Sequence, residues 1–239
     1  MNYSDLVTIV KQNSKQMKRL NQLTLLCIAL FFSQLAVGQS YDLQQLLKSE
    51  SLTVIDRKVT PLNDGGKNAV SFSDKSDAGG YALIKGLEFS EGTIEVDIKG
   101  KDVQGKNFVG IAFHAVPEDG KETAADIVYF RPFNFKSGEQ IRRSHSVQYV
   151  SPPRWDWSEL REKYTGKYEN EIPSPPDPNG WFHARIEVKG KEVTVFVDDA
   201  NEPCLKVTKL NDRTTGSVGI WVGYATNGDF ANLTIKKSK

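Results

Sequence analysis

The sequence has few cysteines, and this scarcity limits the chemistry that the protein can perform. Among 239 residues there are two, Cys27 and Cys204. We expect Cys27 to be removed with the N-terminal leader described below, which leaves Cys204 without an intramolecular disulfide partner. Cys204 shares a strand face with Lys206, so we expect it to be partly exposed or at an edge. A single thiol also excludes a cysteine-built metal cluster. The mature protein must therefore be stabilised by its own apolar core.

The sequence also lacks an excess of charge of either sign. Its 31 Lys and Arg residues balance 30 Asp and Glu residues, for a formal net charge of +1. Without a basic stripe there is no electrostatic footprint for nucleic acid, so we predict no nucleic-acid partner. The sequence contains no nucleophile elbow, phosphate-binding glycine loop or dinucleotide fingerprint, and these enzyme classes are not indicated.

Long apolar runs are scarce, and the one that stands out lies near the N-terminus. A basic start at Met17-Lys18-Arg19 precedes the apolar run Leu23–Phe32 and the small residues Ala36-Val37-Gly38. This order predicts a secretory signal peptide within residues 1–38, with 1–16 as an upstream extension. The alternatives are a buried helix or a membrane anchor, for which the run is short. We expect a mature chain of residues 39–239, exported to the periplasm or cell surface, without stable membrane insertion.

Period-two alternation of apolar and polar residues dominates the mature chain. Ile94, Val96 and Ile98 alternate with charged residues, and Phe182–Val188 repeats the pattern before a turn and the strand Val193–Val197. Apart from a short helical stretch at Asp42–Lys48, about a dozen short strands with Gly, Asn, Asp and Pro between them are indicated. This pattern predicts a single all-β domain, folded as an antiparallel two-sheet sandwich.

Three consecutive predicted strands, at 108–115, 126–130 and 145–150, carry large polar and aromatic side chains on a face where solvent-facing Lys, Thr or Glu is usual. In the second, Tyr129 and Arg131 point away from Val128 and Phe130, and in the third Gln148 points away from the core. Two long loops follow these strands, 131–144 and the proline- and aromatic-rich excursion 151–180. We predict that the loops wall a groove over this face, because long loops in compact domains are usually functional.

A groove of this kind in an exported sandwich favours carbohydrate as the partner. Aromatic rings stack on the C–H faces of sugars, and planar polar groups bind their hydroxyls. The candidate ligand-binding residues are Tyr129, Arg131, Asn134, Gln148, Trp155, Trp157, Arg161 and Tyr168. The alternative is structural: the two tryptophans anchor the excursion, and Arg131 forms a buried salt bridge to Glu169. We expect Trp181 and Trp221 to be framework residues, because they occupy ordinary strand positions.

The sequence indicates catalytic and metal-binding residues less clearly than it indicates ligand-binding residues. Glu95 and Asp97 share a strand face, but their surroundings indicate a solvated face rather than a catalytic pair. For an enzyme, the acid or base would come from His114, His145 or Glu169. The histidine spacing matches no metal motif, so we predict no cofactor. The turns Asp64-Gly65-Gly66 and Asn227-Gly228-Asp229 could bind a structural calcium ion, although we interpret them as turns.

Several strand phrases resemble the concanavalin A-like lectin/glucanase superfamily, in the order of its laminin-G-like jelly rolls. These phrases are GTIEVD at 92–97, FVGIAFH at 108–114, WFHARIEV at 181–188, GIWVG at 219–223 and GDFANL at 228–233. Within the superfamily, the sequence is similar to the 3-keto-disaccharide hydrolase-like domain of exported bacterial proteins. The resemblance implies a jelly-roll sandwich that binds or processes glycans.

Three functions remain open from the sequence. The first is a secreted jelly-roll domain that binds carbohydrate in the groove. The second is a glycoside hydrolase-like enzyme of the same fold, acting on keto-disaccharides or polysaccharide. The third is a protein–protein adhesion module, for which a broad exposed apolar patch would be expected.

Overall fold

A computed structural model describes residues 38–73, 78–118 and 122–238 of the chain. The predicted signal peptide and Cys27 therefore lie outside the described residues. Within the described ranges, no helix combines the length and apolarity that a membrane crossing requires.

The described residues form two antiparallel sheets that pack face to face, as the alternation predicts. The first sheet contains, in spatial order, β13 (Leu205–Thr208), β12 (Glu192–Val197), β11 (Trp181–Lys189), β6 (Gly92–Lys99), β15 (Gly228–Lys237), β4 (Lys67–Ser73) and β3 (Lys58–Asp64), with β1 (Gln39–Tyr41) also paired to β15. The second contains β10 (Glu169–Asn170), β9 (Val147–Val150), β8 (Ala124–Phe130), β7 (Val109–Val116), β14 (Ser217–Val222), β5 (Gly80–Ile84) and β2 (Leu52–Ile55).

Within the part of the chain that the structure describes, four short helices connect or flank these strands. They are α1 (Leu43–Lys48), α2 (Pro132–Phe135), α3 (Gln140–Arg143) and α4 (Trp157–Lys163). The predicted stretch at Asp42–Lys48 is confirmed as α1, with the Asp42 side chain accepting from the Gln45 N–H as the N-cap. Helices α2 and α3 lie in the first long loop and α4 in the second, so both loops are ordered pieces of structure.

The core lies between the two sheets. Phe182, Ile186, Val195 and Ile220 are all buried, and this confirms which face of each strand points inward. Phe130 of the second sheet meets Phe182 of the first edge to face, with ring centroids 5.1 Å apart. The alternation therefore leaves the other face of each sheet for solvent or a ligand.

Three features differ from the sequence prediction. The edge strands β2 and β3 were not predicted, because their residues are partly exposed and β3 contains Pro61. The two-residue strand β10 lies inside the long excursion, where a loop was expected. Cys204, predicted to be partly exposed, is buried, because β13 begins only at Leu205 and the alternation does not extend back to the thiol.

Candidate functional site

One row of residues crosses the outer face of the seven-stranded sheet from edge to edge. Its members occupy paired positions on successive strands, so their side chains share that face. In spatial order the row contains Ile55, Tyr81, Trp221, Gly110, Tyr129, Gln148 and Glu169. We call these seven residues the central row. The predicted outward positions of Tyr129 and Gln148 are part of it, and their strands, β8 and β9, are antiparallel neighbours.

Aromatic rings form the middle of the central row. Tyr129 and Trp221 lie on strands separated by β7, yet their ring centroids are 5.1 Å apart. The rings meet because the β7 residue paired with both is Gly110, which has no side chain to separate them. Phe108 packs edge to face against Tyr129 at 6.1 Å and extends this apolar floor.

Two adjoining cavities lie above this floor, with volumes of about 880 and about 580 Å³. Tyr129, Trp157 and Trp221 line both cavities, so the two form one continuous groove. We call the larger cavity the acidic end, because Asp56, Glu118, Glu122 and Asp156 line it. We call the smaller cavity the basic end, because Arg131, Arg142, Arg161 and His145 line it.

Helix α4 places an aromatic side chain at the wall of the groove. Asp156 caps the helix by accepting from the N–H groups of Ser158 and Glu159, at 3.0 and 2.9 Å. Trp157 follows directly and keeps 51% of its surface exposed. One turn later, the Arg161 guanidinium lies 5.3 Å from the Trp157 ring centroid. The Trp157 ring is therefore held at the groove while a large part of it stays accessible.

A buried polar network supports the groove floor. The Arg131 guanidinium donates to the Tyr129 hydroxyl at 2.6 Å and also to the Gln148 side-chain carbonyl. The Tyr129 hydroxyl donates to the same Gln148 oxygen at 2.8 Å. Burial raises the pKa of Tyr129, so the phenol stays protonated and can donate. This network fixes the Tyr129 ring beneath the groove.

Glu169, at the end of the central row, is the carboxylate of this network. Only 2% of its side chain is exposed. Arg161 binds it through two hydrogen bonds of 2.9 and 2.6 Å, and an Arg131 nitrogen lies 3.6 Å away. His145 Nδ1 also lies 2.9 Å from Glu169, without hydrogen-bond alignment. Burial lowers the pKa of His145, which favours the neutral imidazole at neutral pH.

The structure separates the sequence-predicted ligand residues into two groups. Tyr129, Arg131, Asn134, Trp157 and Arg161 line the groove. Gln148 lies beneath it, fully buried, and Tyr168 is buried against Tyr149. Trp155 packs edge to face against Tyr164 and is absent from the lining of either cavity. Arg131 also forms the buried contact with Glu169 that the structural alternative predicted, and it lines the groove at the same time.

Trp221, expected to be a framework residue, instead lines the groove. A signal was present in the sequence: Ile220 and Val222 point inward, so Trp221 between them must point outward. What the sequence could not show is that β14 lies beside β7, two strands from Tyr129. Trp181 lies on the other sheet, where its indole donates to Asp64 at 3.0 Å.

The three histidines occupy three different places. His145 lies at the groove, His183 lies on the outer face of the eight-stranded sheet, and His114 is buried near the end of β7. A bulge with a positive φ of 46° at His114 turns its ring inward, to lie 3.1 Å from Asp126. Within the described ranges, no cluster of three His, Cys, Asp or Glu side chains could hold a metal ion.

Glu95 and Asp97 belong to a polar network on the eight-stranded sheet, on the side of the sandwich away from the groove. Asp97 accepts from Lys67 at 2.6 Å, from Asn232 at 2.7 Å and from His183 at 2.8 Å. Burial acts to raise the pKa of Asp97, but these hydrogen bonds outweigh it and lower the pKa to about 2. Three neighbours therefore hold Asp97 as an ion.

The fold and its groove define an antiparallel jelly-roll sandwich with an aromatic-floored groove on the outer face of one sheet. Solved structures share this fold. A carbohydrate-binding module, CBM66, from Bacillus subtilis aligns with 77% of this chain and 93% of its own, at a TM-score of 0.54 and 17% identity. A Bacillus subtilis protein of unknown function with a galectin-like fold aligns with 84% of this chain and 98% of its own, at 0.55 and 11%.

The carbohydrate recognition domain of Emp46p, in its potassium-bound form, is also similar. It aligns with 84% of this chain and 97% of its own, at a TM-score of 0.53 and 14% identity. No protein-family model matches the sequence, and no curated protein sequence matches it significantly. At such low identity, these similarities establish the fold alone.

Proposed function

We propose that the protein binds carbohydrate in the groove over the central row. The observation that carries the proposal is the pair of tryptophans, Trp157 and Trp221, that line both cavities of one groove. Trp157 is half exposed, and Tyr224, at the basic end, is equally exposed. Flat aromatic surfaces beside planar polar groups suit the alternating apolar faces and hydroxyls of a sugar.

The similar structures support the same proposal. Two of them are a carbohydrate-binding module and a carbohydrate recognition domain. The groove has room for several sugar rings, since pockets for drug-sized ligands usually have volumes between about 300 and 1,000 Å³. The signal peptide predicted within residues 1–38 supports a function outside the cytoplasm, where glycans are abundant.

A hydrolase of the same fold is the second candidate, and His145 beside Glu169 at the groove is the observation that favours it. The 3-keto-disaccharide hydrolase-like resemblance belongs to this alternative. Against it, Glu169 is already bound by Arg161 and lies close to Arg131, whereas a general acid must be free to carry a proton. Binding without hydrolysis is therefore the function that the geometry supports best.

The test compares glycan binding by the wild type, Trp157→Ala and Trp181→Ala on an array and by calorimetry. Trp181→Ala is the matched control, because it removes the same side chain from the opposite sheet. We expect Trp157→Ala to weaken binding at least tenfold at an unchanged melting temperature, and Trp181→Ala to leave binding unchanged. Equal binding by all three proteins would contradict the groove. Release of reducing sugar by the wild type, lost in His145→Asn at an unchanged melting temperature, would favour the hydrolase.

A further inference from the structure

The two ends of the groove carry opposite charge. Among the described residues that line the acidic end there are four carboxylates and no Lys, Arg or His. Among those that line the basic end there are three arginines, one histidine and no Asp or Glu. A ligand that lies along the groove therefore meets a positive potential at one end only.

The positive charge of the basic end is not neutralised locally. Glu169 is the carboxylate in contact with this end, and it is shared by the guanidinium groups of Arg161 and Arg131. Arg142 donates to the Phe133 carbonyl oxygen at 3.1 Å, and its nearest carboxylate partner is Glu139 at 3.8 Å, whose side chain is 67% exposed. One buried carboxylate thus faces the guanidinium groups of Arg161 and Arg131. The Arg142 guanidinium is a third positive charge at the same end.

Two buried polar atoms at the same end lack a hydrogen-bond partner within the described ranges. Asn134 is only 4% exposed and lines the cavity, yet its Oδ1 has no hydrogen-bond partner among the described residues. The Nε–H of Arg142, which also lines the cavity, is buried and lacks an acceptor among them. Buried polar atoms are usually paired, so a ligand that accepts from Arg142 and donates to Asn134 would complete this site once these two side chains turn toward the cavity.

We propose that the groove is specific for acidic glycans, with an oxyanion of the sugar bound at the basic end by Arg142 and its neighbours. A planar guanidinium binds a carboxylate or sulfate through two parallel hydrogen bonds, while a sugar hydroxyl beside the oxyanion donates to Asn134. The oxyanion can be the carboxylate of a uronic acid or a sulfate ester, since both present this geometry. This inference rests on the proposed carbohydrate function and adds the ligand class and its direction in the groove.

The test uses an array of neutral, uronate-bearing and sulfated oligosaccharides, followed by calorimetry of each acidic hit against its methyl-esterified or desulfated counterpart. We expect the acidic form to bind at least tenfold more tightly than its neutral counterpart, with the difference shrinking as salt is raised. A preference for uronates over sulfates, or the reverse, identifies the source of the oxyanion.

The variants are Arg142→Gln and, as a control with the same change of charge, Arg154→Gln. Arg154 lies in the same excursion as Trp157 but is absent from the lining of both cavities. Arg142→Gln should abolish the preference for the acidic form at an unchanged melting temperature, and Arg154→Gln should retain it. If acidic and neutral forms bind equally well, the acidic-glycan inference is wrong while carbohydrate binding stands. If no glycan binds at millimolar concentration, both proposals are wrong.

Discussion

The rings of Tyr129 and Trp221 lie 5.1 Å apart across an intervening strand, because the residue between them is Gly110. This relationship makes a glycine part of the groove floor. A side chain at that position would separate the two rings and would lift any ligand from the sheet. Gly110 is therefore the position at which the floor of the groove can be tested without changing an aromatic residue.

We predict that Gly110→Ala destabilises the protein and disrupts the groove. An added Cβ would lie 2.1 Å from the Val128 carbonyl oxygen and 2.7 Å from the Tyr129 Cβ, so the backbone of two strands must shift. Overpacking of this kind typically costs about 1–3 kcal/mol. Urea denaturation measures the change, with Gly138→Ala as the control, because nothing lies within 4 Å of a Cβ there. Equal stability of the two variants would show that the strands accommodate the methyl group.

Glu169→Gln should be strongly destabilising. The variant leaves the Arg161 and Arg131 guanidinium groups without the carboxylate that they share at 2.6 and 3.6 Å. Breaking one side of a buried ion pair usually costs about 3–5 kcal/mol. Glu171→Gln is the control on the same segment, because its pair with Arg143 is about one-third exposed and should contribute less than about 1 kcal/mol. Similar losses in both variants, measured by denaturant unfolding, would contradict the special role of Glu169.

Much of the fold could be predicted from the sequence, because alternation reports directly which face of a strand is buried. Phe182 and Ile186 were placed inward, and Tyr129 and Arg131 were placed on the opposite face of their own strand, by this rule alone. The groove prediction depended on the condition that β8 and β9 lie side by side, and the structure meets it, since consecutive antiparallel strands usually pair. These relationships join residues within one strand or in consecutive strands, so short sequence patterns can predict them.

The remaining parts of the site depend on relationships that no local pattern contains. Trp221 reaches Tyr129 only because β14 packs beside β7, more than 100 residues earlier in the chain. His114 turns inward at a bulge that Gly216 permits, since a Cβ on Gly216 would lie 2.5 Å from the His114 backbone. Glu169 joins the central row through a two-residue strand, which is too short to give a periodic signal.

The Asp97–His183 pair predicts a defined pH dependence of stability. The pKa of Asp97 is lowered from 3.8 to about 2, so its contribution is complete above pH 3.8 and is lost as the pH falls through 2. The pKa of His183 is raised above 6.5, chiefly by its hydrogen bond to Asp97. The contribution of His183 to stability is present below pH 6.5 and is lost as the pH rises through the pKa of His183 in the folded state.

Asp97→Asn should therefore reduce both the loss of stability at low pH and the loss of stability as the pH rises above 6.5. Between pH 4 and pH 2 the wild type should lose about 2 kcal/mol more unfolding free energy than the variant, from the shift in the Asp97 pKa. Asp102→Asn, at an exposed position, is the control and should follow the wild type. Urea unfolding at a series of pH values measures the profile, and parallel curves for wild type and Asp97→Asn would contradict the assignment.

The last prediction concerns the buried charge cluster around Asp126, inside the sandwich. Lys209 is buried, with its Nζ 2.9 Å from His114 Nδ1 and 3.6 Å from the Asp126 carboxylate. Burial lowers the pKa of Lys209. Burial alone would raise the pKa of Asp126, but hydrogen bonds from His114 and Tyr149 and the nearby cations lower it. The two groups are thus coupled, and a double-mutant cycle measures the coupling.

Asp126→Asn alone should cost about 3–5 kcal/mol, because it leaves the Lys209 ammonium buried without its counter-charge. Adding Lys209→Met removes that ammonium, so the double variant should be more stable than the sum of the single losses by about 1–3 kcal/mol. Asp212 and Lys191 form the matched control pair, 2.6 Å apart with both side chains more than half exposed. Their coupling should stay below about 1 kcal/mol, as for exposed pairs in general. Additive losses at Asp126 and Lys209 would show that the two groups do not stabilise one another.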